Sequence, residues 1–85
     1  MQIRLTHSFE RDYRELPTAL QKTVDQKLLL LLENLKHPSL RVKKMAGYTN
    51  VWEARVNLGS RFTFSIISKA YVIRRVGPHD VLRKP

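Results

Sequence analysis

The sequence predicts an α+β fold in which an amino-terminal strand and a helical hairpin pack on a mostly antiparallel sheet of four to five strands. Three observations predict it. Apolar residues recur at helical spacing from Phe9 to Leu35. The period changes to two after His37-Pro38-Ser39, and the strands that follow are joined by connections so short that neighbours must be antiparallel. With 85 residues, 42% of them apolar, there is material for one core, so residues 1–85 are expected to form a single domain.

Gln2 to Thr6 alternates, with Ile3 and Leu5 on one face, and reads as a short strand. Ser8 is placed to cap the helix that follows, Glu10 sits near the positive end of its dipole, and Phe9, Tyr13 and Leu16 give it one apolar side. Pro17 ends this helix and suits the first turn of the next. From Pro17 to about Lys36, Leu20, Val24, Leu28, Leu31, Leu32 and Leu35 fall within an arc of roughly 120°, the stripe of a helix laid on a core. Leu29 and Leu30 lie off that stripe. Either Leu30 meets the first helix, or the two belong to a surface that a partner covers.

Beyond the break, Leu40 to Met45, Val51 to Leu58, Arg61 to Ile67 and Ala70 to Val76 read as four strands. Turns separate them at Ala46 to Asn50, Gly59-Ser60 and Ser68-Lys69, and only a short tail follows Gly77-Pro78. Alternation sets Trp52, Ala54, Val56 and Leu58 on one face, and likewise Phe62, Phe64 and Ile66. If both sets meet the helices, Glu53, Arg55 and Arg61 emerge together on the open face, where Arg41 and Lys43 join them. In the last strand Tyr71, Ile73 and Arg75 alternate against Val72, Arg74 and Val76, so both faces are partly apolar. One of Arg74 and Arg75 is expected on the basic surface, and the alternation leaves open which.

Charge is distributed unevenly along the chain. Six basic and five acidic side chains precede His37, whereas ten basic and only two acidic ones, Glu53 and Asp80, follow it. A localised excess of this kind is the electrostatic footprint of a polyanion binder, with RNA or DNA the leading partner; the alternative is a merely solvated basic surface. The absence of cysteine excludes disulfides and thiolate zinc sites and fits a reducing compartment. The longest apolar run, Leu28 to Leu32, is far short of the roughly 20 residues of a membrane span, and the amino terminus lacks a basic region followed by an apolar one. A soluble, unexported, cytoplasmic protein with no membrane association is expected.

Such a surface carries the residue types for cleaving RNA with protein groups alone: a base for the ribose 2′-hydroxyl, cations for the charge building on phosphorus, and an acid for the departing 5′-oxygen. His79 is the best acid or base, since an imidazole ordinarily titrates near roughly pH 6.5 and this one follows a Gly-Pro turn at the sheet rim. The competing reading is an ordinary loop histidine. Arg61 and Arg55 suit forked binding of a phosphate, with Lys43 and Lys44 as point charges. Glu53 is a second proton-transfer candidate, or else a cross-strand ion pair that positions Arg55. His7 and His37 have no matching neighbour and are given structural or surface roles. No Gly-rich phosphate loop, metal-spaced histidine pair or serine nucleophile motif is present, so neither a metal nor a cofactor is expected.

The runs HPSLRVKKMAG, VWEARVNLGSRFTFSI and YVIRRVGPHDVL, with the strand and helical hairpin before them, resemble the RelE/ParE superfamily of bacterial toxins, and its RelE-like ribonuclease branch in particular. The resemblance spans nearly the whole chain. It implies an mRNA interferase that cuts mRNA, commonly in the ribosomal A site, and a cognate antitoxin that wraps the toxin, giving a toxin–antitoxin hetero-oligomer. Arg61 matches the catalytic arginine after the glycine turn, and His79 in GPHD the histidine that some branches use. Lys43 and Lys44 are similar to residues that contact RNA; Arg41, Arg55 and Arg75 complete the expected RNA-binding set. Two departures stand out. The strand of Glu53 and Arg55 lacks the lysine pair of RelE itself, and Leu82-Arg83-Lys84-Pro85 stands where several relatives place a catalytic tyrosine. The same resemblance extends to the ParE branch, which poisons DNA gyrase and needs no nuclease site, and a noncatalytic nucleic-acid-binding module is the third reading.

Overall fold

The computed structural model describes residues 1–85. Its elements are β1 (Gln2–Leu5), α1 (His7–Arg14), α2 (Thr18–Glu33), a 3-10 turn (Pro38–Leu40), β2 (Lys43–Lys44), β3 (Trp52–Arg55), β4 (Ser60–Ile67), β5 (Ala70–Pro78) and a terminal 3-10 turn (His79–Arg83). The strands form one sheet in the order β1-β5-β4-β3-β2. β1 runs parallel to β5 and the remaining pairs are antiparallel. This is the expected two-helix layer on a mostly antiparallel sheet. No helix is long and apolar enough to cross a membrane.

Helix α1 is capped by Thr6 and not by Ser8, because the Thr6 hydroxyl accepts from Phe9 N–H (3.0 Å) while donating to the Arg74 carbonyl (2.9 Å). One side chain thus starts the helix and ties it to β5, from the residue between β1 and α1. The hairpin between the helices is held by Gln21, whose amide donates to the Tyr13 carbonyl (2.8 Å), which also accepts from Leu16 N–H (3.1 Å) at the helix end. Tyr13 in turn donates to Asp25 (2.7 Å), and that bond, followed by burial, raises the phenol above its usual value. Along α2, Val24 and Leu31 are fully buried and Leu20, Leu28 and Leu30 pack around them, with Leu35 just beyond the helix, whereas Leu32, expected on the stripe, is 39% exposed and Leu29 62%. The off-stripe pair is therefore divided: Leu30 packs and Leu29 does not.

The core joins Phe9, Val24, Leu31 and Leu40 to Ala54, Val56, Phe62, Phe64, Tyr71, Ile73 and Val76 of the sheet. Register bears out the alternation: Trp52 lies opposite Phe64, and Ala54 opposite Phe62. Leu58 departs from the expected face. It sits in the β3–β4 turn at 85% exposure, since β3 ends at Arg55. The first of the four expected strands is also much shorter, because Leu40 is drawn into the core by the 3-10 turn and Arg41 takes a left-handed conformation (φ 46°).

The ambiguous strand β5 has a specific cause. Thr63 pairs with Arg75 and Phe64 with Ile73, so Arg74 is an extra residue, a bulge. Before it Tyr71 and Ile73 face the helices; after it Val76 does. The period of two is broken once, which is why neither half-set of the strand was uniformly apolar.

Beyond Leu5 the outer edge of β5 has no neighbouring strand, and Asp12 of α1 takes over there. Its carboxylate accepts from Val76 N–H (3.2 Å) and from Arg75 Nε (2.7 Å) and Nη2 (3.2 Å). This is the molecule's one salt bridge, with side chains 12% and 28% exposed, and the hydrogen bond to Asp12 raises Arg75 above the usual arginine value. The chain then turns back at Gly77, where an added Cβ would lie 2.9 Å from Val81 Cγ1. Arg74 Nε and Arg75 Nη1 donate to the main-chain oxygens of Pro85 and Lys84, strapping this segment down.

Two outcomes are expected. Asp12→Ala should destabilise the fold by about 2–3 kcal/mol in urea denaturation, since it leaves a partly buried guanidinium and an edge N–H without their acceptor. Gly77→Ala should cost about 1–3 kcal/mol by overpacking, and measurably less in a Val81→Ala background, where the colliding methyl is gone.

Candidate nucleic-acid interface

Strands β2, β3 and β4 place their odd-numbered residues on the face away from the helices. Lys43 lies directly opposite Glu53, Glu53 opposite Thr63, and Arg55 opposite Arg61. Arg41 closes the end of this array from the 3-10 turn, its left-handed backbone costing on the order of 1 kcal/mol for a residue with a Cβ. The result is an open cleft of about 400 Å³ lined by Arg41, Val42, Lys43, Glu53, Arg55 and Arg61.

Its electrostatics are unbalanced. Like charges directly across a strand pair repel, and Arg55 and Arg61 are such a pair. Burial, then the charges of Arg41 and Arg61, lowers Arg55 below the usual arginine value. Arg55 Nε is shielded from solvent and has no hydrogen-bond partner, so a donor is left aimed where no protein acceptor stands. Glu53 does not relieve this. The ion pair expected between it and Arg55 is absent, the salt bridge of the molecule being Asp12–Arg75.

Arg61 is seated by its own turn. Nη1 donates to the carbonyls of Asn57 (2.7 Å), Leu58 (3.3 Å) and Ser60 (2.9 Å), leaving Nη2 and Nε unengaged. Asn57 shapes that turn by accepting from Gly59 N–H (3.0 Å) through its side chain. Asn57-Leu58-Gly59 marks a turn in the sequence, but nothing there shows that its carbonyls would grip an arginine.

Five of the expected residues, Arg41, Lys43, Glu53, Arg55 and Arg61, are therefore brought together, and three are not. Lys44 lies opposite Trp52, so it is turned to the other side of β2 from Lys43. Arg75 was expected on the basic surface and is instead bound by Asp12, a partner 63 residues away that no local pattern reveals. His79 is exposed at the start of the terminal turn and does not line the cleft, although Arg61 pairs with Gly77 two residues before it.

This arrangement of two helices against a five-stranded sheet has counterparts among solved structures. The RelE toxin in the RelB–RelE antitoxin–toxin complex from Methanococcus jannaschii superposes with a TM-score of 0.77 at 18% identity, over 95% of each chain. The fold is that of the RelE/ParE toxins. A YoeB/ParE toxin from Agrobacterium tumefaciens matches with a TM-score of 0.79 at 13% identity, over 93% of this chain and 99% of that one. YafQ from Escherichia coli matches at 0.74 and 18%, over 95% and 96%. No protein-family model matches the sequence, and no curated protein does. The RelE-type fold is thus carried by topology and core pattern at an identity that leaves surface residues unconstrained.

Replacing one of the opposed arginines should relieve strain at this face. Arg55→Gln is expected to raise the thermal midpoint at low ionic strength, with the gain over wild type closing near 1 M salt, where screening acts within about 3 Å.

Proposed function

We propose that this chain is the toxin of a toxin–antitoxin pair, a single RelE-like domain that cuts mRNA in the ribosomal A site with its own side chains. The observation that carries the reading is the opposed Arg55–Arg61 pair, flanked by Arg41 and Lys43, in a cleft whose one carboxylate pairs with none of them. A phosphate diester supplies the missing negative charge, and Arg61, whose Nε and Nη2 are unengaged, supplies the forked donors for it, with the Arg55 charge beside them.

In this scheme Arg55 and Arg61 hold the scissile phosphate and stabilise the charge that grows on its oxygens. Glu53, the one proton acceptor in the cleft, takes the proton of the ribose 2′-hydroxyl, and the freed oxygen attacks phosphorus. The bond to the 5′-oxygen breaks, His79 at the rim beyond Arg61 delivers a proton to it, and the products are a 2′,3′-cyclic phosphate and a 5′-hydroxyl. Arg41 and Lys43 bind neighbouring phosphates, and Lys44 extends the contact past the edge strand. Arg75, engaged by Asp12, serves the fold. An antitoxin as partner, and a toxin–antitoxin hetero-oligomer, are supported by the RelB–RelE complex of like fold.

The test is to induce the chain in bacteria and map new mRNA 5′ ends. Cuts at codon-spaced positions are expected, and Arg61→Ala should reduce them on the order of a hundred- to a thousandfold, with His79→Ala also impaired. Full cutting by the double variant would remove these residues from the site. Growth arrest without new ends would move the reading to gyrase poisoning, which the fold's likeness to a YoeB/ParE toxin accommodates.

A further inference from the structure

His37, which the cleavage scheme does not use, lies at the start of the 3-10 turn that delivers Arg41. Its Nδ1 accepts from the Ser39 N–H (3.2 Å) and lies 2.9 Å from Ser39 Oγ. An amide N–H can only donate, so Nδ1 carries a lone pair and the imidazole is neutral, with its proton on Nε2. Ser39 Oγ accepts in turn from Lys27 Nζ of α2 (3.2 Å), which directs the serine's own proton toward Nδ1. The same turn is closed by Leu40 N–H on the His37 carbonyl (3.1 Å) and Arg41 N–H on the Pro38 carbonyl (3.2 Å). Pro38 has no N–H, so the first amide the turn must satisfy is that of Ser39, and His37 satisfies it.

We infer that neutral His37 is the positioning residue that holds Arg41 in the cationic cleft. The inference rests on the proposed role of that cleft in binding RNA. Arg41 is where the turn ends, in a left-handed conformation that a side-chain-bearing residue keeps only when its surroundings impose it. Leu40, fully buried, fixes the turn to the core, and His37 fixes its other end. A proton on Nδ1 would set an N–H against the Ser39 N–H and abolish the cap. The charged groups around His37 are Lys27, acting through Ser39, and Lys36 and Arg41, which share a cavity with it; no carboxylate lines that cavity. Protonation therefore adds a cation to cations, and Arg41 is released from the cleft. Other histidines gaining charge would strengthen RNA binding in acid, so the His37 effect has the opposite sign.

Trp52, the one tryptophan of the chain, lines the same cavity as His37 and Arg41 and gives a local signal. Filter binding of an uncleavable 2′-O-methyl RNA oligomer, with Trp52 emission, would be followed from pH 7.5 to 5.5. His37→Asn retains an N-cap acceptor that does not titrate. Relative to that variant, wild type should lose roughly three- to tenfold in affinity on acidification, and its salt slope should fall by about one phosphate contact. The difference should vanish when Arg41→Gln is present in both, and a Trp52 emission step seen in wild type should be missing from His37→Asn. Identical pH profiles for wild type and His37→Asn, or a difference that survives Arg41→Gln, would overturn the inference. Failure of every variant to bind RNA at pH 7.5 would overturn the functional reading instead; the Trp52 step then decides, and its persistence in His37→Asn would sink the positioning role.

Discussion

The carboxylate of Asp12 is the contact on which the two layers depend. A four-residue β1 cannot cover a nine-residue β5, and the uncovered stretch leaves N–H groups that a buried edge must satisfy. Asp12 accepts from the first of these at Val76 and takes the Arg75 guanidinium as well, so α1 is fastened to the sheet where β1 stops. Thr6 makes the complementary tie at Arg74. Between them they set the helix layer over the bulged part of β5, and the bulge in turn decides which residues of that strand reach the core. Arg41, Lys43, Arg55 and Arg61, which have no carboxylate partner, gather on the opposite face.

Much of this was legible in the sequence, and the reasons differ by element. Strict alternation in Trp52 to Val56 and in Phe62 to Ile66 specifies register, because a slip of one residue would expose every aromatic. That is why the sequence alone places Glu53, Arg55 and Arg61 on one face, with Arg41 and Lys43 beside them. The long helix was equally plain, its stripe sustained by leucines of high helix propensity. What failed was local. Thr6 displaced Ser8 as the cap because a tertiary bond to Arg74 rewards it, and tertiary bonds leave no mark on neighbouring residues. The single extra residue at Arg74 reversed the faces of β5, and Asp12 claimed Arg75 across most of the chain. Glu53 failed to pair with Arg55, since alternation places groups on a face without fixing how far apart their tips lie.

The site follows the same division. Residue type and face could be read; seating could not. Arg61 is poised by three carbonyls of its own turn, and Arg41 by a histidine cap and a strained backbone. Both devices use main-chain groups, which every sequence possesses and none advertises. Topology then explains why His79 stands apart from the cleft: β5 carries the chain past Arg61, which pairs with Gly77, before it turns.

Strand β2 amounts to two lysines at the outer boundary of the sheet. An edge strand offers unpaired main-chain groups to any extended chain that passes, and the commonest consequence is sheet-to-sheet association into aggregates. Here two copies approaching through that boundary would bring lysine against lysine, and the charge that suits the cleft to an anion also keeps the molecules apart. Neutralising that charge would therefore lower the concentration at which the protein stays dispersed.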